Sequence, residues 1–327
     1  MKYSIITPVY NREDCIGRCI ESVIKQINLC GGADKIEVEH IIVNDGSRDD
    51  TGRICNNYVR RNEHLCYIEL PENKGTNAAR NVAIKAASGD FIIILDSDDY
   101  FVDDAISMID RVVKSNPQYR YYMFAPDDIS YREIGVAEET SKEFYYTDFL
   151  SGRISGDFIH CIEGDVMKRH LFDENVRIYE GIFFLSFYKE VQKMLFINHI
   201  VTIRERGRSD SVSFDVIRTR RVFIERRLSA QELLLSRFGN DMLINGFYDR
   251  LSNLYTSLFE NYLLLGKYSQ ISDLDYLYDK QFHITLPHTL KYQLFRLIKR
   301  LRLGFVYRMF LYVYLYTKYK VFKKKIR

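Results

Sequence analysis

Tryptophan is absent from these 327 residues, and proline occurs only five times. No apolar run approaches the ~20 residues that span a bilayer, so a bundle of membrane-crossing helices is not expected. The six cysteines, Cys15, Cys19, Cys30, Cys55, Cys66 and Cys161, form no C-x-x-C pair and no zinc-like cadence with the scattered histidines. They read as reduced core thiols, which suits the cytosol, and His160 beside Cys161 reads as structural. The chain enters a strand almost at once, so no signal peptide is expected. Acidic side chains are missing from one region altogether. Residues 280–327 hold thirteen Lys or Arg and no Asp or Glu, leaving 34 basic and 44 acidic side chains before them, a net of −10.

Among what is present, the most telling stretch is Phe91-Ile92-Ile93-Ile94-Leu95-Asp96-Ser97-Asp98-Asp99. Its β-branched run suits a strand buried on both faces. Three carboxylates then crowd its C-terminal end, where they repel one another unless a cation sits among them. Hard oxygen ligands select magnesium or manganese, and a metal carrying a diphosphate would fit; the plainer reading is a solvated acidic turn. Three earlier segments repeat the pattern of strand, polar turn and helix. Tyr3–Tyr10 runs into Asn11, read as a helix N-cap, and then a helix with Ile16, Cys19, Ile20, Val23 and Ile27 on one face. Ile36–Val43 ends in Asn44-Asp45-Gly46-Ser47 before a helix through Ile54 and Tyr58. Leu65–Leu70 ends in Pro71-Glu72-Asn73-Lys74-Gly75, and Thr76 opens a helix rich in alanine. Alternation of this kind implies right-handed crossovers and a largely parallel sheet, with ligands bound outside the carboxyl ends of its strands. All four polar clusters lie at such ends and should share one cleft.

The blocks Tyr3–Asn11, Val43–Thr51, Asn73-Lys74-Gly75 with Ala79-Arg80-Asn81, and Leu95–Asp99 resemble, in order, those of the family 2 inverting nucleotide-sugar glycosyltransferases. The resemblance covers roughly the first hundred residues and does not extend beyond about residue 210. It implies a GT-A fold, a UDP- or other nucleoside-diphosphate-sugar donor, and Mn2+ or Mg2+. On this reading Pro8 and Tyr10 shape the base pocket, Asp45 accepts from a uracil imide beside the Gly46 turn, and Asn11, Asn73, Gly75 and Ser97 complete the donor set. Arg80 reaches a phosphate or the Asp96 cluster, Asp96 holds the ribose, and Asp98, with Asp96, ligates the metal. Each has a plainer alternative: Tyr10 as a strand-end aromatic, Asp45-Gly46 as a turn, Arg80 as a surface arginine.

An inverting transfer also needs a carboxylate to deprotonate the acceptor hydroxyl. The family usually supplies it from a Glu-Asp pair opening a helix about 80 residues after the Asp-x-Asp block. Here that region reads Tyr179-Glu180-Gly181-Ile182, without the pair. The strand-like run Met194–Asn198 favours a register that makes Glu180 the base; another register would put Leu185 and Ser186 there and leave no base. Asp173 and Glu174 read as a preceding turn. Lack of tryptophan excludes the Gln-x-x-Arg-Trp motif of processive polysaccharide synthases, which favours transfer of a single sugar.

The resulting expectation is an α/β protein. Residues 1–212 would form a GT-A domain with a mixed, mainly parallel sheet and helices on both faces (donor half about 1–105, acceptor half about 106–212). Residues 213–327 would form a helical region ending in a basic amphipathic segment. Its basic residues are interleaved with Phe295, Leu301, Phe305 and Phe310, which suits an interfacial helix on an anionic membrane at the cytoplasmic face; a helix packed on its own catalytic domain is the alternative. Bulky aliphatics among the cations argue against nucleic acid. The expected acceptor is a glycan or lipid-linked glycan of cell-surface polysaccharide synthesis. Two other functions remain open. One is a catalytically weak or silent nucleotide-sugar binder. The other is a sugar-phosphate nucleotidyltransferase, which should carry a Gly- and Arg-containing loop where Pro8-Val9-Tyr10-Asn11 stands.

Overall fold

The computed structural model describes residues 1–30, 36–127, 140–154, 156, 158–176, 179–205, 221–284 and 289–323, with side chains up to 314. The chain divides into two compact units, Met1–Arg208 and Ser209–Arg327.

The first unit is built on β1 (Lys2–Val9), β2 (Glu37–Asn44), β3 (Leu65–Glu69) and β4 (Phe91–Ile94), which pair in parallel in the order β3-β2-β1-β4. Seven of the eight β1 residues are buried, as a strand covered on both faces requires. Between these strands run α1 (Ile16–Cys30), α2 (Thr51–Val59) and α3 (Thr76–Ala86). α1 buries Ile16, Cys19, Ile20 and Val23, the apolar stripe read from the sequence. Residues 100–203 add β5 (Tyr100–Phe101), α4 (Ala105–Ser115), β6 (Tyr121–Pro126), β7 (Ser141–Tyr145), α5 (Tyr146–Ser151), β8 (Ile159–Glu163), α6 (Gly164–Arg169), α7 (Gly181–Val191) and β9 (Lys193–Ile203). Here β8 runs antiparallel to both β4 and β6, β9 pairs parallel with β6, and β5 and β7 pair antiparallel with β9. The result is one mixed sheet of the GT-A type. α1 packs on α2 and α4, whereas α3, α6, α7 and α5 form a second contiguous group.

Two local expectations are corrected. Asn11 does not cap α1: it sits at φ 49°, a left-handed conformation that Asn tolerates. The helix is opened instead by the Arg12 carbonyl, which accepts from the Cys15 and Ile16 amides at 3.1 and 2.9 Å. Five cysteines are buried core thiols, but Cys66 is exposed on the edge strand β3.

The second unit consists of α8 (Arg221–Ile244), α9 (Tyr248–Leu265), α10 (Tyr268–Tyr276), a π-helical turn at Leu277–Gln281, α11 (Leu290–Leu301) and α12 (Gly304–Lys323). α9 is the hub and touches the other four α-helices. It buries Leu251, Leu254, Tyr255, Leu258, Phe259, Tyr262, Leu263 and Leu264, so little of its circumference is left polar. α11 inserts Tyr292, Phe295 and Ile298 into this core, with Phe295 stacked on Phe259 at 6.0 Å. Phe295 is therefore unavailable to a membrane, contrary to the sequence reading. Leu290, Leu294, Leu297 and Leu301 project from the exposed face of the same helix. No described helix is long and apolar enough to cross a membrane.

Candidate active site

The polar turns after β1, β2 and β3 enclose a cavity of about 440 Å³ lined by Tyr10, Gly46, Ser47 and Arg48 on one side and residues 69–73 on the other. Side chains lock the turns together. The Asn11 amide donates to Ser47 Oγ at 2.9 Å, while Asn11 Oδ1 accepts from the Arg48 amide at 2.9 Å. Gly46, at φ +67°, admits the third turn: a Cβ there would lie 2.7 Å from the Glu72 carbonyl carbon. Of the sequence-derived donor residues, Tyr10, Gly46 and Asn73 line the cavity; Pro8 is buried at the end of β1.

Asp45, next to Gly46 in the chain, is 2% exposed and is not among the residues that line the cavity. Its two carboxylate oxygens accept from the Lys74 and Gly75 amides at 2.7 and 2.8 Å. Each oxygen keeps a second lone pair, so this anchoring leaves acceptor capacity. Gly75 at φ +98° starts α3 directly after the clasp. Asp45→Asn would turn an amide N–H toward one of these donors. Stability should fall by about 1–3 kcal/mol, read as a lower denaturation midpoint.

The acidic cluster follows β4 as expected. The Leu95 amide still donates to the Ile6 carbonyl at 3.0 Å, and the chain then turns outward, with the Asp99 amide bonding to the Asp96 carbonyl. Asp96 has a half-exposed carboxylate, Ser97 and Asp99 are buried, and Asp98 is intermediate. Arg80 projects from α3 with its side chain only 12% exposed and its guanidinium 5.5 Å from the centre of the Phe172 ring. Nη2 donates to Asp96 Oδ1 at 3.0 Å, and Nη1 to Glu180 Oε1 at 3.4 Å. Glu180 directly precedes α7, with its carboxylate about one-quarter exposed (27%). One guanidinium thus joins the Asp96 and Glu180 carboxylates. Gly181 stands where the second carboxylate of a Glu-Asp pair would be expected, and a Cβ there meets nothing within 4 Å, so packing does not enforce the glycine.

Among the described residues no group of three or more His, Cys, Asp or Glu could hold a metal ion unaided. The carboxylates of Asp96 and Asp98 supply two hard oxygen donors two residues apart, the ligand chemistry that Mg2+ or Mn2+ prefers.

Sequence reasoning gave no site role to Asn77, Asn81 or Arg204, and read His160 as structural. Asn77 and Asn81, both buried on α3, bond to the segment that precedes Glu180. Their signal was two polar residues four apart, on either side of Arg80, on a helix face otherwise made of small apolar residues. Arg204, just past β9, lies 3.7 Å from Asp99. His160 is buried, shares a hydrogen bond with the Tyr121 hydroxyl at 3.0 Å, and stacks on Phe184. Burial, and secondarily the cations Arg204 and Arg80, hold its imidazole down to about 3, so it is neutral at physiological pH.

The profile of "Glycosyl transferase family 2" matches residues 4–161. A Campylobacter jejuni GalNAc(5)-diNAcBac-PP-undecaprenol beta-1,3-glucosyltransferase is 26% identical over 278 residues, covering 81% of this chain and 86% of the relative. Staphylococcus aureus TarS, a poly(ribitol-phosphate) beta-N-acetylglucosaminyltransferase, is 38% identical over 116 residues, 34% of this chain and 19% of TarS. The crystal structure of TarS 1-349 with UDP-GlcNAc superposes with a TM-score of 0.56 at 19% identity, covering 92% of each chain. A Pyrobaculum calidifontis mannosyltransferase in complex with GDP-Man and Mn2+ superposes with a TM-score of 0.51 at 15% identity, over 96% of this chain and 84% of that one.

Proposed function

This chain belongs to the family 2 glycosyltransferases, and from that premise we propose that it transfers one sugar, with inversion, from a UDP-sugar to a hydroxyl of a glycan or lipid-linked glycan in cell-surface polysaccharide synthesis. The observation that carries this reading is the Arg80 bridge between Asp96 and Glu180; the turns after β1, β2 and β3 supply a cavity sized for a nucleoside. The base would lie against Tyr10, with Asp45 accepting from the uracil imide and Asp96 from the ribose hydroxyls. Asn11, Asn73, Gly75 and Ser97 would shape the surrounding turns. Asp98 and Asp96 would hold Mn2+ or Mg2+, which when bound offsets the charge of the departing diphosphate. Arg80 places a second cation on that side. Glu180 takes the proton from the acceptor hydroxyl as the oxygen attacks the anomeric carbon from the face opposite the diphosphate.

The relatives support the substrate classes: one acts on an undecaprenol-linked glycan, and TarS has been crystallised with UDP-GlcNAc. A catalytically silent nucleotide-sugar binder is the second reading, favoured by Gly181 in place of a second carboxylate. We further assign the basic C-terminal segment to an anionic membrane at the cytoplasmic face, on the strength of its acid-free charge and the outward leucines of α11.

Asp98→Ala tests the donor site. Calorimetry with Mn2+ should show UDP affinity at least about tenfold weaker, the scale of a lost charge-assisted contact, in a variant that circular dichroism shows to be folded. Wild-type affinity would remove the metal-bridged diphosphate from the proposal. A donor panel read by nucleoside-diphosphate release separates an enzyme from a silent binder and identifies the base preferred.

A further inference from the structure

We infer that Asn77 and Asn81 are positioning residues that register Glu180 against the donor site; this rests on Glu180 being the base. Both are almost wholly buried, 2% and 3% exposed. Asn77 Nδ2 donates to the Asp173 and Val176 carbonyls at 3.0 and 2.9 Å. Asn81 Nδ2 donates to the Phe172 carbonyl at 2.8 Å and to Glu174 Oε1 at 3.1 Å, and Asn81 Oδ1 accepts from the Phe172 amide at 2.8 Å. Residues 172–176 form no regular element, so their own backbone groups need partners from outside. Two side-chain amides, one helical turn apart, supply them. Glu180 follows Val176 by four residues, and Arg80 lies between the two asparagines along the helix.

The consequence is mechanical. α3 carries Arg80 toward the donor-side Asp96, and the same helix grips the strand of chain that leads to the base. Donor and base are thereby tied to one rigid element rather than to two halves of a domain. A residue serving only general stability would not need to join these two particular segments.

Alanine has the highest helix propensity, so Asn77→Ala and Asn81→Ala should leave α3 formed and loosen only the docked segment. The expected result is kcat lowered ~10- to 10²-fold in each variant, the scale of an ångström-sized misplacement, with UDP affinity by calorimetry within about twofold of wild type. Asn81→Asp retains the acceptor for the Phe172 amide but sets a buried carboxylate oxygen against the Phe172 carbonyl and Glu174, so its kcat should fall at least as far as that of Asn81→Ala. A double-mutant cycle separates the two assignments. If the asparagines act through Glu180, Asn81→Ala should cost almost nothing further in a Glu180→Gln background. Wild-type turnover in Glu180→Gln overturns the base assignment. Collapsed turnover there, combined with unchanged kcat in both Asn→Ala variants or with losses that multiply in the double variant, overturns the positioning role alone.

Discussion

Glu180→Gln is expected to lower turnover by about 10²–10⁴, the contribution of a general base, while UDP affinity stays at the wild-type value. The substitution is a narrow one. Glutamine keeps the length of the side chain and an oxygen that can still accept from Arg80 Nη1, now 3.4 Å from the carboxylate. The Arg80–Asp96 pair at 3.0 Å should therefore persist, and the donor side with it. What disappears is proton affinity. Single-turnover transfer, together with calorimetry on the same preparation, resolves the two effects. The other acids nearby are engaged in local structure: Asp173 Oδ1 accepts from the Asn175 amide at 2.9 Å, and Glu174 Oε1 from Asn81 at 3.1 Å. Unchanged turnover would show that Glu180 is not the base and would move the search to those two groups.

The first four strands and the turns after them were legible because their signals are local. An apolar run such as Ile92–Leu95 declares a buried parallel strand, and a strand end declares where ligands gather. The turn details were less so. Asn11 has the chemistry of an N-cap, yet tertiary partners on the second turn, Ser47 and Arg48, hold it in a left-handed conformation instead. The strands that follow β4 were harder. β6, β8 and β9 are chosen as neighbours by pairings distant in sequence, and no periodicity announces that β8 runs antiparallel between β4 and β6. The Asn77 and Asn81 contacts reach across more than ninety residues, beyond any pattern read within one helix. Phe295 was misassigned for a related reason. α11 has apolar residues on two faces, and hydropathy alone does not tell which one meets α9.

That second face sets the last expectation: full-length protein should float with anionic liposomes at low salt, and Leu294→Glu/Leu297→Glu/Phe310→Glu should not. These three side chains are 50%, 51% and 69% exposed, so charging them leaves the buried Tyr292, Phe295 and Ile298 in place. Truncation after Tyr278 would be a poorer test, because it strips those three residues from the core around α9. Ion pairs with Glu260 and Asp275 engage Lys291, Arg296 and Lys299. Attraction to head groups therefore rests on the other basic residues, among them Arg300, Arg302 and Arg308, at ~1 kcal/mol for each one near the surface. Interfacial burial of the three apolar side chains adds roughly 1.5 kcal/mol or more apiece, so their loss should weaken partitioning by ~10³-fold or more. Salt should weaken the wild type as well, since only the electrostatic part is screened. UDP affinity should be the same in both proteins. Transfer to a lipid-linked acceptor in vesicles should fall in the variant far more than transfer to a soluble analogue. Failure of the wild-type chain to float at low salt would discard the membrane assignment, and equal losses on both acceptors would trace the defect to the catalytic unit instead.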